Sequence, residues 1–323
     1  MNKETINWGI ISTGRIAREM TDALKLVKDA QLIAVSSRDV ERAAAFSREY
    51  DLMDFYGDYK EMLQDEAIDL VYVATPHPFH YENTLACLNA GKAVLCEKPM
   101  AMDKKQAAKM IKTARKKKVF FMEALWTNFL PSFITLQEKL TEMGDIRYLN
   151  ADFAFPAPHD PNGRLLNKEL GGGALLDIGI YVIFAAYKLM GMPETIKAQG
   201  YIGKTGVDEQ TSIIFKYKNG GMANLFCSLQ VNSKTNLSVY TPNGMVELGH
   251  RFHMPALPYY YQDIQKPKKM SVKMKGNGYN YEAEHVNGCL KAGLVESPVW
   301  SFDDCLSVNA LIEEVKKQIG LKY

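Results

Sequence analysis

Apolar positions in the first 122 residues follow two alternating patterns. Short runs such as Leu70–Ala74 are almost wholly apolar, which is typical of strands buried on both faces of a sheet. Between these runs apolar residues recur at helical spacing, as at Ile16, Met20 and Leu24. Strands that alternate with helices in this way predict a parallel, doubly wound sheet with right-handed crossovers.

The pattern changes character after Glu123. A long strand is predicted over residues 145–155, and shorter strands follow between residues 196 and 248. Two glycine-containing turns, at 219–221 and 242–244, separate neighbouring strands and are typical of β-hairpins. Sequential hairpins predict an α+β domain with an open, predominantly antiparallel sheet. Such a sheet exposes one face, unless an identical subunit or the protein's own helices cover it.

The composition is that of an ordinary globular protein. The 323 residues, 47% of them hydrophobic, suffice for two domains, which we place at 1–122 and 123–323. A net charge of +2 gives no broad bias toward nucleic acid or anionic membranes. Five scattered cysteines predict reduced, mostly buried thiols. No signal peptide is recognisable, and the apolar helix predicted at 181–190 is too short to span a bilayer. We therefore expect a soluble cytoplasmic protein.

A dinucleotide-binding turn is predicted between the first strand and the first helix. The sequence Ser12-Thr13-Gly14-Arg15-Ile16-Ala17 follows the pattern G-x-G-x-x-G/A, except that serine replaces the first glycine. Gly14 lets the backbone approach a pyrophosphate, and the amide groups at the helix start bind its phosphates. The imperfect motif is weak alone, but its position at the first strand-to-helix turn strongly favours this interpretation.

The end of the second strand indicates which nicotinamide cofactor binds. An acidic residue there accepts hydrogen bonds from the ribose hydroxyls of NAD. This chain has Ser36, Ser37 and Arg38 instead, and a guanidinium suits a 2′-phosphate because it offers forked donors and a fixed charge. Asp39 follows, but it lies one residue too late to be the acidic residue that binds the ribose hydroxyls. The sequence therefore favours NADP(H) over NAD(H), the alternative being a solvent-exposed arginine in a turn.

Polar residues also follow two other predicted strands. The segment Cys96–Pro99 places a glutamate, a lysine and a proline directly after an apolar run, and Thr75–His77 ends the preceding strand. Parallel sheets bind ligands just outside the carboxyl ends of their strands, so both segments are predicted to face the cofactor. His77 and His80 form an HxxH pair, but Pro78 interrupts it and no HExxH glutamate is present. We therefore predict no metal site.

A further polar pair lies in the apolar helix after the glycine triplet 171–173. Asp177 has apolar neighbours, and a buried carboxylate is costly unless a donor or a cation binds it. Tyr181 follows four residues later, so an α-helix presents both side chains on one face. The glycines let backbone or ligand approach the helix start. The pair is therefore predicted to point one way toward a functional site, the alternative being an internal hydrogen bond that fixes the helix.

Taken together, these motifs resemble the Gfo/Idh/MocA oxidoreductase family over essentially the whole chain. The matching segments are 9–17, 74–77 with His80, 97–99 and 171–181. The segments 122–131, 281–285 and 296–299 resemble the branch that contains dimeric dihydrodiol dehydrogenase and NADP-dependent D-xylose 1-dehydrogenase. The resemblance implies a Rossmann domain followed by a substrate domain whose open sheet often forms the dimer surface.

The resemblance also implies that Lys98 lies between nicotinamide and substrate. Many relatives have a histidine in place of Tyr181, but the dihydrodiol and xylose branch shares the tyrosine. Oxidising a hydroxyl requires loss of a proton as hydride leaves, and a nearby ammonium favours the charged form of a phenol. We therefore hypothesise that Tyr181 accepts the proton, that Lys98 activates it, and that Asp177 holds Lys98 in place.

The predicted site falls into three groups of residues. The predicted catalytic residues are Lys98, Asp177 and Tyr181. The predicted cofactor-binding residues are Ser12, Thr13, Gly14, Arg15, Ile16, Ser37, Arg38, Thr75, Pro76, His77, His80, Glu97, Lys98 and Trp126. The predicted substrate-binding residues are Trp126, Phe155 and Tyr181, and the alternative for Trp126 and Phe155 is that they belong to ordinary interdomain core.

The predicted function is NADP(H)-dependent hydride transfer between the nicotinamide and a hydroxyl or carbonyl of a sugar or cyclic diol. The alternatives are an NAD(H)-dependent dehydrogenase of the inositol or glucose-fructose type, and a non-catalytic NAD(P)-binding regulator. A regulator is expected to lose its lysine or its proton-transfer residue. Lys98, Asp177 and Tyr181 are all present, which favours an enzyme. We further expect a homodimer formed through the C-terminal sheet, with neither nucleic-acid nor membrane partners.

Overall fold

The computed structural model describes residues 3–323. The chain forms two compact units, one of Met1–Trp126 with Lys275–Leu306 and the other of Thr127–Met274 with Ser307–Tyr323. The first unit is therefore discontinuous in sequence, which differs from the single boundary predicted between residues 122 and 123. Hydrophobic periodicity marks where elements begin and end, but it does not show that a late helix returns to the first sheet.

The first unit is built around a parallel sheet. Its strands are β1 (Ile6–Ile11), β2 (Ala30–Ser36), β3 (Asp54–Tyr56), β4 (Leu70–Val73), β5 (Ala93–Glu97) and β6 (Phe121–Ala124). Their order is β3-β2-β1-β4-β5-β6, which is the order of the doubly wound dinucleotide-binding fold. Every residue of β4 and β5 is buried, because helices cover both faces of such a sheet. The predicted Rossmann fold is confirmed.

Helices connect these strands and continue into the second unit. They are α1 (Arg15–Leu24), α2 (Val40–Tyr50), α3 (Tyr59–Met62), α4 (His80–Asn89), α5 (Lys104–Lys117), α6 (Pro131–Thr141), α7 (Ile180–Met190), α8 (Tyr279–Lys291) and α9 (Phe302–Ile319). The returning helix α8 is joined to the first sheet by Asn287, whose Oδ1 accepts a hydrogen bond from Trp8 Nε1 at 3.1 Å. Both side chains are fully buried, so the late segment is part of the core of the first unit.

The second unit contains a larger sheet of mixed direction. Its strands are β7 (Tyr148–Ala154), β8 (Thr195–Ile202), β9 (Asp208–Lys216), β10 (Met222–Ser228), β11 (Leu237–Thr241), β12 (Gly244–Leu248), β13 (Pro258–Tyr261) and β14 (Lys268–Lys269). The order is β14-β13-β12-β11-β7-β10-β9-β8, and within this sheet, over the described residues 3–323, only the β7–β10 pair is parallel. The predicted α+β class with a predominantly antiparallel sheet is confirmed.

One apolar helical run supplies much of the core of the second unit. It extends over Lys168–Met190, 23 residues, which by length and composition alone is enough to cross a membrane. It is longer than the sequence suggested, because shorter helical segments before Ile180 continue into α7. Inside the protein 89% of its most apolar window is buried, which is the pattern of a core helix.

Candidate functional site

The turn between β1 and α1 has the features of an anion-binding helix start. Gly14 is the N-cap of α1 and is exposed, and no side chain caps the helix. The first turn also lacks an acidic residue. The backbone N–H groups at a helix start need acceptors, and the helix dipole favours a negative one. The residues present therefore fit the pyrophosphate of a dinucleotide.

Ser12 stands where the pattern has a glycine, and its backbone adopts a conformation that is unusual for serine. Its φ of 121° lies in a region that favours glycine. Its N–H donates to the Ser36 carbonyl at 2.9 Å, while its Oγ accepts the N–H of Gly14 at 3.1 Å. The serine thus keeps the turn that a glycine would make, and its hydroxyl adds one hydrogen bond.

The loop after β2 supports the predicted cofactor preference in one respect. Asp39 caps helix α2, and its Oδ1 accepts the N–H groups of Glu41 and Arg42 at 3.1 and 3.2 Å. One oxygen of its carboxylate therefore binds the protein backbone, and the other lies 3.3 Å from Arg42 Nε. Arg38 is exposed, and its guanidinium carbon lies 5.2 Å from the centre of the Phe79 ring. The cation and the aromatic ring together form a surface beside the end of β2.

His80 lies between two backbone carbonyls, and its predicted contact with the cofactor stays a prediction. It is fully buried at the start of α4, its Nε2 lies 2.7 Å from the Thr75 carbonyl, and its Nδ1 lies 2.8 Å from the Pro99 carbonyl. Two carbonyl partners favour a protonated ring, but burial is the larger effect and lowers the pKa of His80. The ring therefore ties together the loops after β4 and β5. His77, half-buried, makes an edge contact with His80.

The loop that carries Lys98 is held from several sides. Glu97 accepts hydrogen bonds from the Tyr72 hydroxyl and, at 3.2 Å, from the Lys98 N–H. The bond between Lys98 and Pro99 is cis. The next residue, Met100, donates its N–H to Glu123 Oε1 at 2.8 Å. Because buried side chains bind the backbone on both sides of Lys98, the lysine leaves the sheet from a fixed position.

Glu123 was missed by sequence reasoning. It is fully buried in β6, and its second oxygen accepts a hydrogen bond from Trp300 Nε1 at 3.1 Å. Burial raises the pKa of Glu123, whereas the Met100 and Trp300 donors lower it. The only sequence signal was a glutamate inside an apolar run, which does not identify its partners.

Trp126, predicted to contact cofactor or substrate, lies at the end of the first unit. Its ring is 3% exposed and stacks on Tyr279, with ring centres 4.1 Å apart and planes within 10°. Tyr279 begins α8, the helix that returns to the first unit. The two aromatic rings thus form one flat apolar element, which sequence reasoning did not anticipate because the residues are far apart in the chain.

In the second unit, Asp177 lies in a π-helical turn, Leu175–Gly179, that leads into α7. Such turns often occur at functional sites. The Asp177 side chain is 10% exposed, and its Oδ1 accepts a hydrogen bond from Arg164 Nη1 at 3.1 Å. Arg164 therefore supplies one cation to this buried carboxylate. This arginine lies in a loop with no motif, so sequence reasoning could not identify it.

Tyr181 is buried near the start of α7 and packs against two further rings. Its ring centre is 5.7 Å from that of Phe153 and 5.2 Å from that of His253. His253 stacks on Phe153 with ring centres 4.1 Å apart. Sequence reasoning missed His253, which contacts a predicted catalytic side chain.

The backbone before His253 is unusual. His250 and Arg251 both have positive φ, 45° and 68°, which side chains rarely adopt. The following Phe252 is fully buried, and the carbonyl of His253 accepts a hydrogen bond from Thr127 at 2.9 Å. This turn positions the His253 ring. Residues held in such conformations cluster at functional sites.

Phe155, the remaining predicted substrate residue, lies directly after β7. It is partly buried and packs against the apolar cluster beneath the π-helical turn. The buried members of this cluster are Leu166, Ala174, Ile178, Val207, Cys227 and Leu229. Phe155 therefore has a packing role in the second unit, and a substrate contact stays a prediction.

Comparisons with known proteins agree with this architecture. Residues 6–125 match the Gfo/Idh/MocA oxidoreductase family with an NAD-binding Rossmann fold, and residues 136–247 match the Gfo/Idh/MocA C-terminal domain. The chain is 36% identical to a trans-1,2-dihydrobenzene-1,2-diol dehydrogenase from Xenopus laevis over 330 residues, which covers 98% of each chain. The chain therefore belongs to the Gfo/Idh/MocA oxidoreductase family. The predicted resemblance to the dihydrodiol dehydrogenase branch is confirmed.

Solved structures agree with the fold. An aldose-aldose oxidoreductase from Caulobacter crescentus, complexed with glycerol, superposes with a TM-score of 0.88 at 24% identity and 97% coverage of each chain. A mutant 3-ketoreductase from Actinomadura kijaniata, in complex with TDP-benzene and NADP, gives 0.87 at 25% identity and 98% coverage of each. The predicted class, an oxidoreductase with a Rossmann domain that binds a nicotinamide dinucleotide, is confirmed.

Proposed function

We propose that this protein is an NADP(H)-dependent dehydrogenase that oxidises a CH–OH group of a cyclic trans-diol or a sugar. The observation that carries the proposal is the near full-length relation to a dihydrodiol dehydrogenase in a chain that has Lys98, Asp177 and Tyr181. The preference for NADP(H) is supported by Arg38, exposed beside Phe79, and by the use of Asp39 as a helix cap. A guanidinium binds a phosphate through charge-assisted hydrogen bonds.

In the proposed reaction a bound nicotinamide would supply the hydride chemistry, and the residues of the protein manage the proton and the orientation. Tyr181 accepts the proton of the substrate hydroxyl. The ammonium of Lys98 stabilises the phenolate form of the tyrosine and orients the substrate oxygen. Phe153 and His253 pack against the Tyr181 ring and restrict its motion.

The test is a panel of aldoses, inositols and cyclic trans-diols assayed with NADP⁺ and with NAD⁺ by absorbance of the reduced nicotinamide. We expect turnover of a trans-diol or an aldose with NADP⁺. Preferred turnover of an inositol with NAD⁺ would favour the alternative dehydrogenase. Binding of cofactor without turnover of any substrate would favour a regulator.

Two variants test the assigned roles. Tyr181→Phe and Lys98→Met are each expected to lose about 10²–10⁴-fold in turnover, the usual contribution of a positioned acid–base group, while cofactor binding survives. Because the two residues act as a unit, the double variant is expected to be little worse than either single one. Near-normal turnover of Tyr181→Phe would transfer the proton-accepting role to Lys98.

We also propose that the protein is a homodimer formed through the larger sheet. In β9 the alternate residues Ile213 and Phe215 are buried, whereas Ile214 is 44% exposed. Met222 in the adjacent β10 is 41% exposed, so this face presents apolar side chains to solvent. Light scattering after size exclusion is expected to give a dimer mass, and Ile214→Glu to give a monomer. The matched control is Ile134→Glu on α6, where the isoleucine is exposed to a similar degree.

A cytoplasmic location is proposed from the thiols. All five cysteines are buried thiols, and no disulfide joins any two of them within the described residues 3–323. Free thiols persist in reducing compartments, whereas secreted proteins usually pair them. Fractionation of the native host, with detection of the protein by antibody, is expected to recover it in the cytosolic fraction; recovery in an oxidising compartment would overturn the proposal.

A further inference from the structure

A buried carboxylate lies at the beginning of the helical run that carries Asp177 and Tyr181. Asp208, the first residue of β9, is fully buried. Its Oδ2 accepts the N–H of Leu175 at 2.9 Å and the hydroxyl of Thr211 at 2.8 Å. Leu175 begins the π-helical turn, and the first N–H groups of a helix have no acceptor within it. Asp208 therefore caps this helix from a neighbouring strand.

The glycine turn before the helix is shaped around the same carboxylate. A Cβ added to Gly173 would lie 2.4 Å from Asp208 Oδ1 and 3.0 Å from the Tyr323 hydroxyl, and the φ of Gly173 is +116°. The Tyr323 hydroxyl donates to the Gly172 carbonyl. Only glycine permits this approach, so the turn brings the carboxylate and the phenol against the start of the helix.

Asp208 is the group in this cluster that titrates near neutral pH. Its Oδ1 has no hydrogen-bond partner among residues 3–323, and burial raises the pKa of Asp208 to about 7, although the Thr211 and Leu175 donors lower it. Two other titratable groups face it, the Tyr323 phenol and the Cys227 thiol of β10. Burial raises the pKa of both further above neutrality.

We infer that Asp208 is a positioning residue for the proposed reaction, and that the charge on its carboxylate controls how firmly the helix start holds Asp177 and Tyr181. The ionised carboxylate binds the Leu175 N–H through a charge-assisted hydrogen bond and complements the positive end of the helix. Protonation removes that charge. The helix start is then held less firmly, and Asp177 lies only two residues beyond Leu175.

The inference rests on the proposed function for its kinetic test, so a second measurement does not use activity. The kinetic test is the pH dependence of kcat and KM from pH 5.5 to 9. In the unmodified protein kcat is expected to rise through an inflection near pH 7. Asp208→Asn is expected to lose that inflection and to have about threefold to tenfold lower kcat at pH 8, with KM nearly unchanged, as for loss of a charged helix cap.

The second measurement is amide hydrogen exchange of residues 173–181 in the protein without added ligands, corrected for the intrinsic pH dependence of exchange. For local openings that release the helix start while Asp208 stays buried, protection is expected to increase between pH 6 and 8 in the unmodified protein, but not in Asp208→Asn. Thr211→Val removes one donor to the ionised carboxylate, so both inflections are expected to move to higher pH. If Asp208 had a merely structural role, these substitutions would change stability without moving either inflection. The control is Asp58→Asn, which removes a helix cap from α3 in the first unit. This variant is expected to leave both profiles unchanged.

The outcomes separate this inference from the proposed function. Protection that does not depend on pH in the unmodified protein, or an inflection that persists in Asp208→Asn, overturns the inference. If Asp208→Asn does not fold, the test uses Thr211→Val instead. Inflections that stay at the same pH in Thr211→Val then overturn the inference. If no substrate is turned over, the proposed function fails, while the exchange measurement still decides the role of Asp208.

Discussion

The buried carboxylate of Asp208 makes a quantitative prediction about stability. Its pKa is about 7 in the folded protein, compared with the ordinary value of 3.8, because burial disfavours the charged form. The folded protein therefore binds this proton more tightly than the unfolded chain does. The group makes its full contribution to stability below pH 3.8, and that contribution is lost as the pH rises toward 7. The total loss is about 4 kcal/mol at 1.36 kcal/mol per pKa unit.

Asp208→Asn removes the titration while keeping the shape of the side chain. The difference in free energy of unfolding, variant minus unmodified protein, is expected to increase by about 2.5 kcal/mol between pH 5 and pH 8, by the same linkage relation. Urea unfolding at the two pH values measures it, and any constant effect of the amide on local hydrogen bonds cancels in the comparison. Asp58→Asn, measured in parallel, reports the effect of losing a helix-capping carboxylate elsewhere. A difference for Asp208→Asn that stays constant within about 0.5 kcal/mol would refute the reasoning.

Three further predictions concern the cofactor turn and the polar pair in the second unit. Ser12→Gly is expected to stabilise the protein by about 1 kcal/mol in urea unfolding, since relief of the positive φ outweighs loss of the hydrogen bond to Gly14; destabilisation would contradict this. Arg38→Ala is expected to weaken NADP(H) binding about tenfold to a hundredfold in calorimetric titrations and to leave NAD(H) binding unchanged, and equal weakening of both would argue against phosphate recognition. Arg164→Ala is expected to lower kcat/KM about fivefold, because the buried Asp177 loses a cation that is itself largely exposed, and Arg164→Lys is expected to recover part of that loss.

The sequence by itself determined the first sheet and the kind of chemistry at its edge. The wholly buried strands β4 and β5 could be predicted from apolar runs, because residues buried on both faces leave no polar alternation. The motif around Gly14 and the Glu97-Lys98-Pro99 segment were identifiable because each follows a predicted strand, where parallel sheets bind ligands. Both inferences depend only on residues close together in the chain.

Tertiary structure decided the contacts between residues distant in sequence, which those local signals could not predict. Asp177 binds Arg164, and one ring beside Tyr181 is that of His253, which a turn of positive-φ residues positions. The same limitation applies to His80, whose two backbone carbonyl partners could not be predicted from the sequence. It also explains the return of α8 to the first unit. Periodicity reports which side of an element is buried, but not what it is buried against. That depends on contacts between residues distant in sequence, and only the folded chain brings them together.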